Sequence, residues 1–189
     1  MFDFLDEDLL DSGMKIRYTH GDFTKPHGKG HMIMVLVCDL GGKWESAPCL
    51  AVKSKYRKAY KEYYRWQKEG KKGTAATPWR SGSVKYIDVT KRGWIFNTNP
   101  TDIFEVALLL GIDTSTNRGA YSSPVNIAAI KKGLQRIASY AFDHDASIHM
   151  PKIGTAKGEG GRWKVIREVV QAEILTREVP VTVYDVDDD

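Results

Sequence analysis

The chain has 189 residues and a formal net charge of +4, which is a length typical of one domain. Its start is acidic and lacks a basic region followed by an apolar run, so we expect no secretory signal peptide, and no stretch approaches the ~18 apolar residues of a membrane span. The two cysteines, Cys38 and Cys49, match no common zinc spacing. We therefore expect reduced thiols, no metal, no cofactor, no membrane partner and a cytoplasmic location, in the host cytoplasm if the source is viral.

The charge is unevenly distributed along the chain. We interpret residues 1–13 as an acidic N-terminal lead, 14–186 as one domain and 187–189 as an acidic tail. The basic stretch from Lys53 to Arg92 favours a solvated helix face and a basic loop, and its positive field also suits an anionic ligand. Nucleic acid binding through Lys53–Lys72 is an additional hypothesis.

The first half of the chain contains two predicted strands and one predicted helix. Residues 15–19 alternate in polarity, and His31–Cys38 is a near-continuous apolar run typical of a strand buried on both faces. Pro48–Lys68 carries apolar residues at helical spacing, with a proline suited to the first turn. Residues 69–83 are rich in glycine, lysine and threonine and are predicted to be a loop.

The second half continues the alternation of strands and helices. A turn at residues 91–93 predicts a hairpin of Val84–Val89 with Trp94–Asn97. The remaining predicted elements are a helix at Asp102–Leu110, a loop at Gly111–Ser123, a helix at Pro124–His144 capped by Ser122 or Ser123, a strand at Ser147–Met150, a loop at Pro151–Gly161, a helix at Arg162–Thr176 and a strand at Val179–Val183.

Strands that alternate with helices indicate an α/β fold in which helices cover both faces of a sheet. In such sheets, ligands bind beyond the carboxyl ends of the strands. We therefore expect four loops to share one edge: those after Thr19, Cys38, Trp94–Asn97 and Met150.

The segment from Met150 to Gly161 is the sharpest local signal. A strand that leads into a glycine-rich loop and then a helix N-terminus is a general design for an anion site, since backbone N–H groups and the helix dipole converge on the ligand. The spacing matches neither a Walker loop nor a Rossmann fingerprint. A plain turn between strand and helix is the alternative.

The sequence IHMPKIGTAKGEGGRW at Ile148–Trp163 resembles the signature of the macro domain superfamily, and is most similar to its bacterial, phage and TARG-like branch. Further segments resemble that family in the same order along the chain. They are Gly21–Thr24, Val37–Asp39 with Gly42–Trp44, Leu50–Tyr56, Trp94–Asn97 and Val181–Tyr184.

This resemblance implies a three-layer α/β/α macro-type fold with a central mixed sheet, and a site for ADP-ribose or a related ADP-ribosyl metabolite. It implies adenine near Asp22 and Tyr184, the diphosphate on Gly154–Gly161, and the distal ribose between that loop and residues 39–47. The implied ligand-binding residues are Asp22, Phe23, Asp39, Gly42, Trp44, Asn97, Gly154, Thr155, Ala156, Lys157, Gly158, Gly160, Gly161 and Tyr184.

The chain departs from the family pattern near the distal ribose. Asp39 stands where relatives carry Asn, and Leu40 stands where they carry Asp. Glu45 and Ala47 occupy two glycine positions, and in the second loop Ala156 takes a glycine position and Arg162 stands where an acid often precedes the tryptophan. A segment of about residues 100–123 is longer than in typical relatives, and we read it as an insertion that caps the site or binds a partner.

Two functional hypotheses follow from this resemblance. In the first hypothesis, the chain binds ADP-ribose, or an ADP-ribosylated macromolecule, without catalysis. Alternatively, it is a hydrolase at the distal ribose, as an ADP-ribose-1″-phosphate phosphatase or in de-ADP-ribosylation, with Asp39 or Glu159 as the catalytic base.

Overall fold

The computed structural model describes residues 13–91, 99–116, 123–155 and 161–185. Within them a six-stranded sheet has the order β1-β6-β5-β2-β4-β3. The strands are β1 (Arg17–His20), β2 (His31–Asp39), β3 (Val84–Asp88), β4 (Ile103–Ile112), β5 (Ala146–Pro151) and β6 (Val181–Asp185). The helices are α1 (Ala47–Lys55), α2 (Arg57–Lys71), α3 (Ile127–Asp143) and α4 (Trp163–Glu173), and a short 3-10 helix follows at Leu175–Arg177.

Strand β2 lies at the centre of the sheet, parallel to both β4 and β5. Its residues from Met32 to Asp39 are all buried, which confirms the prediction of a strand covered on both faces. Strand β6 runs parallel to β5 and β1, whereas β3 runs antiparallel to β4. The predicted mixed sheet is therefore confirmed.

The helices form a layer on each face of the sheet. Buried residues of α3 and α4 pack against one face, and those of α1 and α2 pack against the other, as predicted for a three-layer α/β/α fold. Gly133 allows α3 to approach the sheet closely, because a Cβ there would lie 2.4 Å from Cγ of Leu109 on β4. No helix in the described segments has the length and apolar character needed to cross a membrane.

The predicted helix at Pro48–Lys68 is two helices. The chain breaks at Tyr56, where φ is −127° and ψ is 66°. The Tyr56 hydroxyl donates a hydrogen bond of 2.7 Å to the carbonyl of Thr24, and its backbone N–H donates to Val52 at the end of α1. Tertiary contact by one aromatic residue thus divides a segment whose apolar spacing is continuous.

The predicted helix at Asp102–Leu110 is wrong, because this segment is the interior strand β4. Residues Val106–Leu110 are buried between β2 and β3. A short apolar run rich in leucine and alanine fits a buried helix as well as a buried strand, and here pairing on both sides decides in favour of the strand. Residues 103–112 of the segment we interpreted as an insertion therefore belong to the sheet, while the insertion itself and the domain limits stay predictions.

The other boundaries differ by a few residues. The partner of β3 is β4, while the predicted hairpin partner Trp94–Asn97 lies outside the described residues. Helix α3 is capped by Asn126, whose side chain accepts the N–H of Ala129 at 3.0 Å, and not by Ser123. The other predicted cap, Ser122, also lies outside the described residues.

Candidate functional site

The carboxyl ends of the parallel strands lie along one edge of the sheet, which we call the rim. The loops after β1, β2 and β5 begin there, as predicted. The fourth loop is the one that follows Ile112 of β4, whereas Trp94–Asn97, including the predicted ligand contact Asn97, lies outside the described residues. The backbone N–H of Leu40 donates to the carbonyl of Ile112 at 2.7 Å, which joins the ends of β2 and β4.

The connection from β5 to α4 brings a helix N-terminus to the rim. Gly154 has a φ of +84°, and a Cβ there would lie 2.7 Å from Cβ of Arg162. Its carbonyl accepts the Arg162 N–H at 2.9 Å. The turn therefore requires glycine, and it clamps the start of α4 against the end of β5.

In the described part of the chain, the first turn of helix α4 carries no neutralising side chain. Its N-terminus has no side-chain cap and no acidic residue in its first turn, so its free N–H groups present a partial positive charge. Within the described segments, the Nε of Arg162 is a buried side-chain nitrogen with no hydrogen-bond partner. Both features are typical of a site that an anion completes.

Some predicted diphosphate contacts lie in the described part of this loop. Thr155 is exposed and donates its hydroxyl to the carbonyl of Lys152 at 2.8 Å, and Gly161 has a φ of +63° next to the helix start. The other predicted contacts of this loop, Ala156, Lys157, Gly158 and Gly160, lie outside the described residues, as does the predicted catalytic base Glu159.

Asp39 ends β2 with a buried carboxylate that accepts four hydrogen bonds. The N–H of Gly41 donates to Oδ1 at 3.0 Å, and that of Lys43 donates to Oδ2 at 3.0 Å. Thr114, in the loop after β4, donates its N–H to Oδ1 at 2.9 Å and its hydroxyl to Oδ2 at 2.6 Å. Asp39 therefore couples the loops after β2 and β4.

These contacts give a physical reason for Asp39 at the position where the family resemblance implies Asn. All its partners are donors, so both side-chain oxygens must accept, and an amide NH2 would face a donor. Thr114 belongs to no motif that points to a site in the sequence. The polar residues Asp113, Thr114 and Ser115 directly after an apolar run were the available signal, but their place at the rim depended on reading that run as a strand.

Trp44 and Gly42 shape the loop after β2 from beneath. The Trp44 side chain is buried, its indole N–H donates to the carbonyl of Cys49 at 2.6 Å, and its ring packs 4.9 Å from that of Tyr63. Gly42 has a φ of +94°, and a Cβ there would lie 2.2 Å from the side chain of Gln67. The ligand roles of Trp44 and Gly42 stay predictions.

On the other side of the rim, the predicted adenine contacts differ in exposure. Asp22 is exposed, and its Oδ1 accepts the N–H and the hydroxyl of Thr24 at 2.8 and 2.6 Å. Phe23 and Tyr184 are buried in the core cluster on the α1 and α2 face. Only Asp22 of these three therefore presents an exposed residue for a ligand.

Neither Cys38 nor Cys49 forms a disulfide, and both are buried, which confirms the interpretation as packed thiols. Burial raises the pKa of the Cys38 thiol well above its ordinary value, and the nearby Cys49 and Asp39 add to this. His149 is buried, as the sequence indicated. Across the described segments, no group of three His, Cys, Asp or Glu side chains is arranged to hold a metal ion.

Comparison with family models gives no match for this chain. Among curated proteins, the chain is similar to chromodomain-helicase-DNA-binding protein 1-like of Mus musculus, with 27% identity over 180 residues. That similarity covers 93% of this chain and 18% of the mouse protein, so the chain spans less than a fifth of that relative's length.

Solved structures share the arrangement over most of the chain. A Bacteroides thetaiotaomicron protein of unknown function is 27% identical with a TM-score of 0.76, and covers 91% of this chain and 98% of its own. A Streptomyces coelicolor macrodomain protein is 29% identical with a TM-score of 0.70, and covers 90% and 99%. Thermosipho africanus DarTG, solved in complex with ADP-ribose, shares the fold at 17% identity, with a TM-score of 0.57 and coverage of 83% and 38%.

Proposed function

Because this chain belongs to the macro domain superfamily, we propose that it binds ADP-ribose or a related ADP-ribosyl metabolite at the rim of its sheet. The ligand is the one held by the Thermosipho africanus relative of the same fold. The diphosphate would lie at the start of α4, the adenine near Asp22, and the distal ribose toward the loop after β2.

The uncapped start of α4, held by the Gly154 turn, is the observation that carries this proposal. Helix N–H groups without a side-chain cap or an acidic residue in the first turn favour negative charge, and a diphosphate supplies it. The buried Nε of Arg162 adds a charged donor at the same place, and it gains a partner when an anion binds.

The geometry of Asp39 favours binding over hydrolysis. A general base needs a free lone pair directed at the proton it removes, and this carboxylate already accepts four hydrogen bonds. We therefore assign Asp39 to shaping the loop beside the distal ribose. Hydrolysis at the distal ribose, with Glu159 as the base, is the alternative.

Isothermal titration calorimetry with ADP-ribose tests the site. We expect a dissociation constant on the order of micromolar or tighter, and no heat at millimolar ligand would refute the proposal. Arg162→Gln should weaken binding by about ten-fold, since it removes a charge-assisted hydrogen bond. Arg167→Gln is the matched control, because it removes the same charge from an exposed position of the same helix.

Incubation with ADP-ribose-1″-phosphate and with ADP-ribosylated protein separates the two functions. We expect binding without turnover, while release of phosphate or of free ADP-ribose would establish the hydrolase. Binding of ADP-ribosylated protein at the affinity of free ADP-ribose would support a macromolecular partner. We also propose a cytoplasmic location and an additional affinity of the basic segment Lys53–Lys72 for nucleic acid.

A further inference from the structure

A cavity of about 340 Å³ lies at the amino ends of the strands, at the edge of the sheet opposite the rim. The first residues of β1, β5 and β6 and the segment before β2 form its walls. A five-residue strand such as β6 spans roughly 16 Å, so the cavity is separate from the Gly154 turn. Its volume falls within the range of small-molecule sites.

The wall of this cavity is basic. Among the described residues that line it are Lys15, Arg17, His27 and Lys29, and none is acidic. A concave surface that carries charges of one sign attracts and concentrates ligands of the opposite sign. The cavity therefore suits an anion.

The floor of the cavity is a polar row on the sheet. Thr182 of β6 is paired in register with Arg17 of β1 on one side and with His149 of β5 on the other. Side chains at paired positions of adjacent strands point to the same face, so these three are neighbours. On β6 the flanking Val181 and Val183 point to the opposite face of the sheet and belong to the apolar core there, so the polar row occupies the other face.

A hydrogen-bond chain leads from the core into the cavity. His149 contacts the Tyr184 hydroxyl through Nδ1 at 2.9 Å and the Ser147 hydroxyl through Nε2 at 2.8 Å. The Tyr184 oxygen also accepts the N–H of His27 at 2.8 Å. Burial, followed by the nearby His27, lowers the pKa of His149 to about 4, so its ring is neutral at neutral pH.

The tautomer of His149 sets the direction of this chain, and the buried Tyr184 hydroxyl, whose oxygen already accepts the His27 N–H, needs an acceptor for its own hydrogen. When the Tyr184 hydroxyl donates to Nδ1, the hydrogen on Nε2 donates to the Ser147 oxygen, and every member of the chain is paired. The Ser147 hydroxyl hydrogen then remains for an acceptor inside the cavity, which Ser147 lines. A hydroxyl donor among cationic side chains is a common feature of phosphate sites.

We propose that this cavity is a second ligand site that binds a small organic phosphomonoester, with the phosphate held by Arg17, Lys29 and the hydroxyls of Ser147 and Thr182. The cavity is larger than a phosphate group alone, and Met14, Pro180 and Val181 provide an apolar wall for the rest of the molecule. This site is independent of ADP-ribose binding at the rim.

Nuclear magnetic resonance of the His149 ring in the full chain tests the proposal, with inorganic phosphate and ribose 5-phosphate as probes. We expect saturable shifts with both probes, tighter binding of ribose 5-phosphate, and a raised His149 pKa because the bound anion favours the charged ring. Absence of a saturable shift at millimolar probe, or equal affinities for the two probes, would overturn the assignment.

Two variants locate the phosphate. Arg17→Gln should weaken ribose 5-phosphate binding by about ten-fold through loss of a charge-assisted contact. Lys61→Gln removes one positive charge from an exposed position on α2 and should leave the affinity unchanged. Equal effects of the two variants would mean that the phosphate responds only to the overall charge of the protein, and would refute the proposed site. Saturating ADP-ribose should not alter the titration, and competition between the ligands would refute a separate site.

Discussion

Replacing Gly154 by alanine should damage both stability and ligand binding. At a φ of +84° a residue with a side chain costs roughly 1–2 kcal/mol. The new Cβ would also lie 2.7 Å from Cβ of Arg162 and 3.1 Å from Cδ1 of Ile166. Relief of such contacts typically costs about 1–3 kcal/mol, and lower entropy of the unfolded chain offsets about 0.4–1 kcal/mol. We expect a net loss of about 1–5 kcal/mol, centred on ~3 kcal/mol.

Gly73→Ala separates the backbone cost from the steric cost. Gly73 has a φ of +70°, but a Cβ there would meet nothing within 4 Å. This control should therefore lose only about 1 kcal/mol, since only the left-handed conformation is strained. Urea denaturation monitored by tryptophan fluorescence gives both free energies of unfolding.

Calorimetry with ADP-ribose then measures the effect on the site. A shift of the α4 start by a few tenths of an ångström lengthens every N–H contact to the diphosphate, so affinity should fall by at least about ten-fold in Gly154→Ala and stay unchanged in Gly73→Ala. If the two variants match in stability and in affinity, the close approach of Gly154 to α4 does not position the ligand, and the reasoning fails.

Three further predictions concern buried polar groups. Asp39→Asn should lower the free energy of unfolding, measured in urea, by about 2–4 kcal/mol, because an amide NH2 would face a donor. Thr114→Val should lower it by about 1–2 kcal/mol, because only one hydrogen bond to Asp39 is lost. Equal losses would contradict the arrangement of four hydrogen bonds at Asp39. The folded pKa of His149 is about 4 and its unfolded value is near 6.5, so the unfolded state binds the proton first as the pH falls. The free energy of unfolding should therefore fall by up to about 3 kcal/mol between pH 6.5 and pH 4. His149→Gln should flatten that dependence when melting is measured across this pH range. The Cys38 thiol should react with a chromogenic disulfide only after unfolding, because it is buried and its pKa is raised, and rapid labelling of the native protein would refute this.

Much of the architecture was predictable because its causes are local. The apolar run of β2 indicates a strand buried on both faces, and it is the centre of the sheet. The glycine-rich segment after β5 predicts a turn and a helix start, because the positive φ of Gly154 and the apolar spacing of α4 both depend on residues close in sequence. Segments with the apolar pattern of strands alternate with segments of helical spacing, and this alternation predicts helices on both faces of the sheet.

Tertiary structure decided the features that depend on distant partners. The segment of β4 is equally compatible with a helix until β2 and β3 pair with it, and Tyr56 ends α1 through a bond to Thr24. The role of Asp39 follows from donors in Thr114, 75 residues away, and the basic cavity exists only because strand pairing sets Arg17 beside Thr182. Sequence determines which groups need partners, but hydrogen bonds and charges act over a few ångströms, so folding alone selects those partners.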